Sequence, residues 1–338
     1  MSRSRILTDS AVLLVVLAGV VLTCLQGCDS RDSAKKTKIG FLVNHPEEAW
    51  YINEWKFAQK CADEKGFELI KIGAPTAQKL LSAIDNLGAM GAGGFIVCAP
   101  DVHLGPAIVA KAKQNDLKLF SVDDRFIGAG GKPMEDVPYM GISAKEIGRD
   151  VGRALWAEFK RRGWKMDQTG ACAVTYDSLL TAKERTDGAK ESLLAAGFPQ
   201  QRIYEAPMRT EDVPGSMEAV NALLAKRPEI KKWLIYSEND EGVMGAVRAM
   251  EQFGFPPENI IGIGIGGSTC LVEFRKEKLT GFFATILISP RRHGYETAEL
   301  MYEWITQGKE PPKLTLTQGI LVDRDSYEKV MKEQGLLD

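Results

Sequence analysis

The stretch Lys38-Ile-Gly-Phe-Leu-Val-Asn-His-Pro-Glu-Glu-Ala-Trp-Tyr-Ile-Asn-Glu-Trp55 decides the fold class of this chain. Its residues 39–43 are apolar or glycine, which predicts a strand buried on both faces. A polar turn with a proline follows, and carboxylates and aromatic residues open the next helix. Ligands of open α/β sheets bind beyond the carboxyl ends of the strands, so this turn is a candidate ligand site. Carboxylates beside flat aromatic faces suit a sugar better than a phosphate, and the candidates here are Asn44, Glu48, Trp50 and Tyr51.

From residue 38 onward, apolar strands alternate with amphipathic helices, which predicts an α/β protein with parallel sheets covered by helices. The pattern runs over residues 38–142 and restarts over residues 144–287. We therefore predict two doubly wound, Rossmann-like lobes with a ligand cleft between their facing strand ends, and further crossings near the end of the chain. The N-terminal lobe is assigned residues 35–142 and 288–319, and the C-terminal lobe residues 143–287 and 320–338. Strands are predicted at residues 39–43, 68–72, 94–99, 118–122, 139–143, 171–175, 202–206, 232–236, 260–265, 281–288 and 318–322.

Residues 1–28 have the pattern of an export signal, with two arginines before an apolar run that ends at a small residue. The apolar run is shorter than the roughly 20 residues that a spanning helix needs. Leu25-Gln-Gly-Cys28 resembles a bacterial lipobox, which would make Cys28 a lipidation site, although Gln26 departs from the pattern. A cleaved ordinary signal and an uncleaved anchor remain alternatives. Residues 29–37 are predicted to be a tether, and Asp29 is typical of inner-membrane lipoproteins in enteric bacteria. We therefore expect a periplasmic protein held at the inner membrane by its lipid.

The composition argues against several classes of function. A formal net charge of −2 without a basic block gives no footprint for nucleic acid. The chain has three histidines and lacks the usual metal, phosphate-loop and nucleophile motifs, so we expect no metal, no cofactor and no catalysis. We expect a monomer. The four cysteines beyond the leader have no metal or redox spacing and are predicted to be buried, with a disulfide as the alternative: Cys61, Cys98, Cys172 and Cys270.

Two adjacent acids follow the predicted fourth strand. Carboxylates accept strong hydrogen bonds from hydroxyl groups, and Asp123 and Asp124 are therefore candidates for ligand binding. Adjacent residues of an extended segment point in opposite directions, so only one of them should face the cleft directly. The alternatives are a helix cap or an ion pair with Arg125.

Polar residues also follow two strands of the second lobe. Arg185 offers a planar fork of donors to sugar oxygens, but its spacing alone favours a solvated helix face shared with its charged neighbours. Asn239 can both donate to and accept from hydroxyl groups, and Asp240 is predicted to be a helix N-cap.

The segment Ile261-Gly-Ile-Gly-Ile-Gly-Gly267 contains a formal G-x-G-x-x-G. The dinucleotide fingerprint needs its glycines directly after a strand, whereas Gly262 and Gly264 alternate with isoleucines inside one. A Rossmann-type NAD(P) enzyme therefore remains only an alternative from a different class.

Several motifs, in this order, resemble the bacterial L-arabinose-binding protein family. They include Lys38-Ile-Gly-Phe-Leu-Val, Pro46-Glu-Glu-Ala-Trp, Glu54-Trp-Lys-Phe-Ala58, Phe120-Ser-Val-Asp-Asp124, Gly131-Lys-Pro-Met134, Arg162-Gly-Trp164, Ala195-Ala-Gly-Phe-Pro199 and Ile260-Ile-Gly-Ile-Gly-Ile265. The family consists of exported sugar receptors of ABC importers, with the type I periplasmic-binding fold. The resemblance covers nearly all of residues 38–336 and implies two lobes, joined by three crossings, that close over one monosaccharide. A sugar sensor for a signalling receptor is the alternative within this class.

The resemblance also implies a set of pocket residues. Asp124 would bind the anomeric hydroxyl, and Arg185 the ring oxygen with a neighbouring hydroxyl. Asn239 and Glu48 would bind the remaining hydroxyls, and Trp50 would cover the apolar face of the ring. The full set is Asn44, Glu48, Trp50, Tyr51, Cys98, Asp123, Asp124, Ile142, Leu179, Thr181, Arg185, Glu238, Asn239 and Gly266.

Five positions depart from the family's pocket: Asn44, Ile142, Glu238, Gly266 and Thr269 stand where the family has Lys, Met, Met, Asn and Asp. These changes remove two side chains that bind hydroxyl groups. They also remove a cation at Asn44 and add an acid at Glu238, which the loss of an acid at Thr269 offsets. A site built for one set of hydroxyls discriminates strongly. We therefore expect a ligand larger or richer in donors than arabinose: another pentose or hexose, a polyol or an amino sugar.

Overall fold

A computed structural model describes residues 36–337. The predicted signal, the lipidation site at Cys28 and residues 29–35 of the predicted tether lie outside the described residues. The core begins with strand β1, Lys38–Val43, in which Ile39, Phe41, Leu42 and Val43 are all fully buried. Phe41 and Leu42 belong to clusters on opposite faces of the sheet, which confirms the prediction of a strand covered on both sides.

Two six-stranded sheets organise the described chain. The first has the order β11-β5-β4-β3-β1-β2, and all its strands are parallel. The second has the order β12-β10-β9-β8-β6-β7 and is parallel except for the antiparallel edge strand β12. The other strands are β2 Glu68–Gly73, β3 Gly94–Val97, β4 Lys118–Asp123, β5 Tyr139–Ile142, β6 Thr169–Thr175, β7 Ile203–Pro207, β8 Lys232–Tyr236, β9 Ile260–Gly266, β10 Phe282–Leu287, β11 Thr315–Thr317 and β12 Ile320–Asp323.

Helices cover both faces of the sheets, so the structure is the predicted α/β fold with two lobes. Parallel strands need crossover connections, and here most of these are helices. They are α1 Ala49–Lys65, α2 Ala77–Ala89, α3 Gly105–Gln114, α4 Ala144–Arg161, α5 Leu180–Ala195, α6 Val213–Leu224, α7 Asp240–Gln252, α8 Leu271–Phe274, α9 Thr297–Gln307 and α10 Tyr327–Glu333, and a π-helical turn, Arg292–Glu296, precedes α9.

The chain passes between the two sheets three times. It leaves the first sheet after β5, and α4 packs its Ile147 and Val151 onto the second sheet. It returns after β10, where Ala298 and Met301 of α9 pack beside β1. The last passage joins β11 of the first sheet to β12 of the second. This topology aligns the carboxyl ends of both sets of strands with the cleft.

Some elements differ from the sequence prediction. Strand β11 was not predicted, because three residues are too few to show a period of two. Helix α3 begins at Gly105-Pro106, where proline is well tolerated because the first helical turn needs no N–H donor there. The strand predicted at residues 318–322 begins instead at Ile320.

The cysteine prediction is confirmed for the part of the chain that the structure describes. Cys61, Cys98, Cys172 and Cys270 are free and buried. In that same part, no helix combines the length and apolar character that crossing a membrane requires.

Candidate functional site

A cavity of about 330 Å³ lies where the carboxyl ends of the two sheets face each other. Its walls come from residues that follow or end β1, β4, β5, β6, β8, β9 and β10, so both lobes contribute. The predicted residues that line it are Glu48, Trp50, Tyr51, Asp123, Asp124, Ile142, Leu179, Thr181, Arg185, Asn239 and Gly266.

Three predicted residues lie outside this lining. Asn44 and Glu238 are buried, with 9% and 2% of their surface exposed. The Cys98 thiol is fully buried and lies 3.6 Å from the Tyr51 hydroxyl and 4.0 Å from Asp124 Oδ2. The lining of the cavity does not include these three side chains, and their assignment to the ligand site stays a prediction.

The two acids at the end of β4 have different environments. Asp123 has a left-handed backbone (φ +65°), and its Oδ1 accepts a hydrogen bond from His293 Nδ1 at 2.7 Å. Asp124 has no closer side-chain donor among the described residues than the Cys98 thiol, which leaves its carboxylate free to accept from a ligand. Burial, and then the charge of Asp123, raise the pKa of Asp124 to about 6 against the opposing effect of Arg185. The alternative of an ion pair with Arg125 is wrong, since that guanidinium lies over the Tyr139 ring, 5.8 Å from its centroid.

Arg185 is directed into the cleft and not onto a solvated helix face. Its side chain is 20% exposed, and Nη1 donates to the Glu238 carbonyl at 2.7 Å. Its neighbour Lys183 pairs with Asp187 at 2.8 Å instead. A Cβ on Gly148 of α4 would come within 2.0 Å of the Arg185 carbonyl, so this glycine permits the close helix packing that positions the arginine. The explanation that spacing favoured is therefore wrong, and Arg185 lies in the lining of the cavity. The ligand role that the resemblance implies for it stays a prediction.

The prediction that Asp240 caps a helix is wrong by one residue. Asn239 caps α7, its Oδ1 accepting from the Gly242 N–H at 2.7 Å, and Asp240 is the first helical residue. Both residue types are good caps, so the sequence did not decide between them. The fully buried Asp240 carboxylate instead accepts from the backbone N–H groups of Gly267 and Cys270 and from the hydroxyls of Thr269 and Thr285.

The turn after β9 depends on glycine and on this carboxylate. Gly266 and Gly267 have φ of +130° and +92°, which side chains rarely adopt. As predicted, Gly262 and Gly264 lie inside β9, and a Cβ on Gly264 would approach Asp240 Oδ1 to 2.3 Å. Sequence reasoning missed the other lining residues of this region, Asp240, Glu241, Ile265, Ser268 and Ile288.

Residues 36–325 match the family model described as periplasmic binding proteins and the sugar binding domain of the LacI family. The chain belongs to this family. This periplasmic binding protein is 45% identical, over 304 residues, to the L-arabinose-binding periplasmic protein of Escherichia coli (strain K12), covering 90% of this chain and 92% of the relative. It is 46% identical, over 313 residues, to the ABC transporter L-arabinose-binding periplasmic protein of Azospirillum brasilense, covering 92% and 93%.

Solved structures agree on the fold. The periplasmic ribose ABC transporter protein of Conexibacter woesei DSM 14684 superposes with a TM-score of 0.74 at 17% identity, covering 88% of this chain and 95% of that chain. The resemblance drawn from sequence motifs is confirmed. So is the prediction of a binding protein rather than an enzyme, because the family and both relatives are binding proteins.

A second cavity, of about 550 Å³, adjoins the first in this periplasmic binding protein. The two cavities share Asp124, Ile142, Leu179 and Thr181 as walls. Its lining includes Leu180, Leu314 and Leu316, which are 66%, 49% and 47% exposed. The cleft therefore continues from the first cavity into a second one whose wall includes three exposed leucines.

Glu238 should make the stability of the protein depend on pH. Burial raises its pKa to about 8, and Arg185, at 3.9 Å, only partly opposes this effect. The carboxyl is therefore mostly neutral at pH 7, and it is not the added anion that the sequence suggested. The unfolded chain ionises near pH 4.5, so folding stability falls between that pH and about 8, by about 1.4 kcal/mol per pH unit at most.

Because glutamine does not titrate, Glu238→Gln should gain stability relative to the native protein as the pH rises from 5 to 8. Urea unfolding at a series of pH values measures this difference. Parallel curves for the two proteins would contradict a raised pKa at Glu238.

Proposed function

We propose that this protein is a receptor that closes over a monosaccharide in the cavity between its lobes and delivers it to an ABC importer. The observation that carries the proposal is the convergence of a carboxylate, Asp124, and a fixed guanidinium, Arg185, on one cavity from opposite lobes. Sugar hydroxyls both donate and accept, so they suit such a pair. The L-arabinose-binding relatives, which match over about nine-tenths of the chain, support the same class of ligand.

The remaining roles follow from the side chains around that pair. We assign Asn239 and Glu48 to further hydroxyls and Trp50 to the apolar face of the sugar ring. The Trp50 ring meets the His293 ring edge to face at 5.3 Å and packs against the hydrophobic clusters of both lobes. A ligand that touches both lobes favours the closed state by its differential affinity for it, and closure is the form that a permease can recognise.

We further propose a ligand larger or richer in donors than arabinose. Gly266 leaves space, since an added Cβ would have Asp240 Oδ2 as its nearest neighbour, at 3.7 Å. The adjoining cavity offers room for a longer molecule. Several acids line the main cavity, whereas Arg185 is the cation among its described lining residues, which favours a ligand with many donors, such as a hexose, a polyol or an amino sugar.

A panel of sugars tests the function. We expect one or a few compounds to raise the melting temperature of the purified protein, since a ligand at about 100 times its Kd adds about 2.7 kcal/mol of stability. Calorimetry then ranks pentoses, hexoses, polyols and amino sugars. Tight binding of L-arabinose with no response to any larger sugar would sink the proposed ligand class. A response to NAD or NADP with none to sugars would overturn the receptor function itself.

The remaining expectations stay proposals. We propose export to the periplasm, in line with the periplasmic relatives, and anchoring to the inner membrane by a lipid on Cys28. We also propose that the protein is a monomer when it meets the permease subunits, and that its lobes comprise residues 35–142 with 288–319 and residues 143–287 with 320–338.

A further inference from the structure

Glu54, in the second turn of α1, has a buried carboxylate without a counterion. The residue is 0% exposed, and neither carboxylate oxygen has a hydrogen-bond partner among residues 36–337. Three other glutamates are almost as buried, and each has a cation beside it. Glu158 accepts from Arg161 and Arg162, and Glu273 accepts from Lys276 and Thr280. Glu238 has Arg185 at 3.9 Å, although its Oε1 has no hydrogen-bond partner. Buried polar groups are normally satisfied, so the Glu54 carboxylate calls for an explanation.

The polar neighbours of Glu54 include Asp123, His293 and the indole of Trp50, which partly opposes the rise of the Glu54 pKa. One atom from each of Glu54, Asp123 and His293 lies within 4.8 Å of the other two, and Glu54 Oε1 is 3.8 Å from His293 Nδ1. Asp123 uses one oxygen to accept from His293, while its Oδ2 is buried without a partner. The packing is close, because a Cβ on Gly294 would come within 2.2 Å of the Glu54 carbonyl. Two carboxyl groups with three buried oxygens that lack a hydrogen-bond partner therefore lie close together.

Two ionised carboxylates are unfavourable in such a site, because the negative charge of each raises the free energy of ionising the other. Burial, followed by the charge of Asp123, raises the pKa of Glu54 well above its ordinary value. Other titratable groups also surround it. They are Asp124 beyond β4, Cys98 beyond β3, Tyr51 on the same helix and His293 on the π-helical turn.

We propose that Glu54 is a protonated carboxylic acid that donates a hydrogen bond to Asp123 and so positions that carboxylate at the cavity wall. His293 holds one oxygen of Asp123 and the Glu54 proton holds the other, which fixes the group as an acceptor. His293 follows the second passage between the lobes, and its Nε2 lies 2.9 Å from the Thr317 hydroxyl, just before the third. The Glu54 proton therefore lies between the cavity wall and the segments in which the chain passes between the lobes for the second and third time. The role of Asp123 in ligand binding rests on the proposed function, but the proton on Glu54 does not.

A proton satisfies this geometry better than a metal ion. A metal would need a ring nitrogen of His293 as a ligand, yet Nδ1 is engaged with Asp123 and Nε2 with Thr317. One proton, by contrast, supplies the single missing donor between the carboxyl groups and removes one of their charges.

Glu54→Gln and Glu158→Gln form a matched pair for testing the proposal, since both remove a buried carboxylate without changing its shape. Glutamine mimics the protonated acid, so E54Q should match native stability near pH 4.5 and then exceed it, by about 2–5 °C in melting temperature per pH unit. E158Q breaks an ion pair and should melt about 5–10 °C below the native protein at pH 7. An E54Q that loses stability at pH 7 as E158Q does would overturn the proposal.

Infrared spectroscopy detects the proton directly. At pH 7 the native protein should show the carbonyl band of a protonated carboxylic acid, and E54Q should lack the part of that band that arises from Glu54. Identical bands in the two proteins would overturn the proposal, as would melting curves that shift when a chelator is added.

Sugar-binding measurements on variants of Glu54 separate this inference from the proposed function. With the sugar that gives the largest thermal shift, Glu54→Ala should bind about tenfold more weakly, and E54Q should recover most of that loss. If no sugar binds any of these proteins, the proposed function fails while the melting and infrared results still decide where the proton is. If sugars bind and E54Q is as weak as E54A, the positioning role fails.

Discussion

Replacing Arg185 with alanine should reduce sugar affinity by about 100-fold or more, since truncating one member of a buried charged contact costs about 2–5 kcal/mol. The guanidinium is the cation that the described lining of the cavity provides, and its position is fixed by the Glu238 carbonyl. Without it, Asp124 would lose the nearby charge that lowers its pKa. A ligand would then lose a planar pair of donors from a cavity that several acids line.

Arg185→Lys separates charge from geometry. Lysine keeps the positive charge but not the rigid fork of donors, so its affinity should lie between the native and alanine values. Arg149→Ala is the control, because Arg149 lies on α4 and makes exposed ion pairs with Glu146 and Glu191. Titration calorimetry with the best sugar of the panel measures all three variants. R185A binding within threefold of the native protein would remove Arg185 from the proposed site.

The repeating pattern of the sequence was sufficient to predict the fold. Strands such as β1 are continuous apolar runs, and the period of the following helices distinguishes them from strands without any knowledge of contacts. The sequence did not predict elements whose own residues show only a weak or ambiguous pattern. Strand β11 has three residues, and it exists because β5 offers it a pairing edge. No pattern among neighbouring residues in the sequence predicts that pairing.

The candidate site was predictable in part, and mainly through resemblance. A residue at a strand end faces the cleft or turns away from it according to a few backbone angles, so the sequence alone does not show that Asn44 and Glu238 are buried. The group around Glu54 left no recognisable pattern. Asp123 and His293 are 170 positions apart in sequence, and a mid-helix glutamate looks like any other until its partners are known.

The preference of aspartate for helix N-caps predicted a role for Asp240 that the tertiary structure corrects. Its carboxylate instead accepts hydrogen bonds from the turn after β9 and from Thr285. Asp240→Ala should lower the free energy of unfolding by about 3–5 kcal/mol, because breaking a buried network leaves its donors unsatisfied. Two backbone N–H groups, from Gly267 and Cys270, and two threonine hydroxyls would lose their acceptor. The turn from Gly266 to Cys270 forms one wall of the cavity, so its loosening should also weaken sugar binding.

Asp187→Ala is the matched control for that substitution. Asp187 pairs with Lys183 on an exposed face of α5, and such pairs contribute little. Urea unfolding followed by tryptophan fluorescence measures both variants, and calorimetry measures their sugar affinity. If D240A were as stable as D187A, the turn after β9 would have to be held by its glycines and by packing alone. Asp240 would then be free to act as a ligand residue, and the cavity would have one more acceptor than the present geometry gives it.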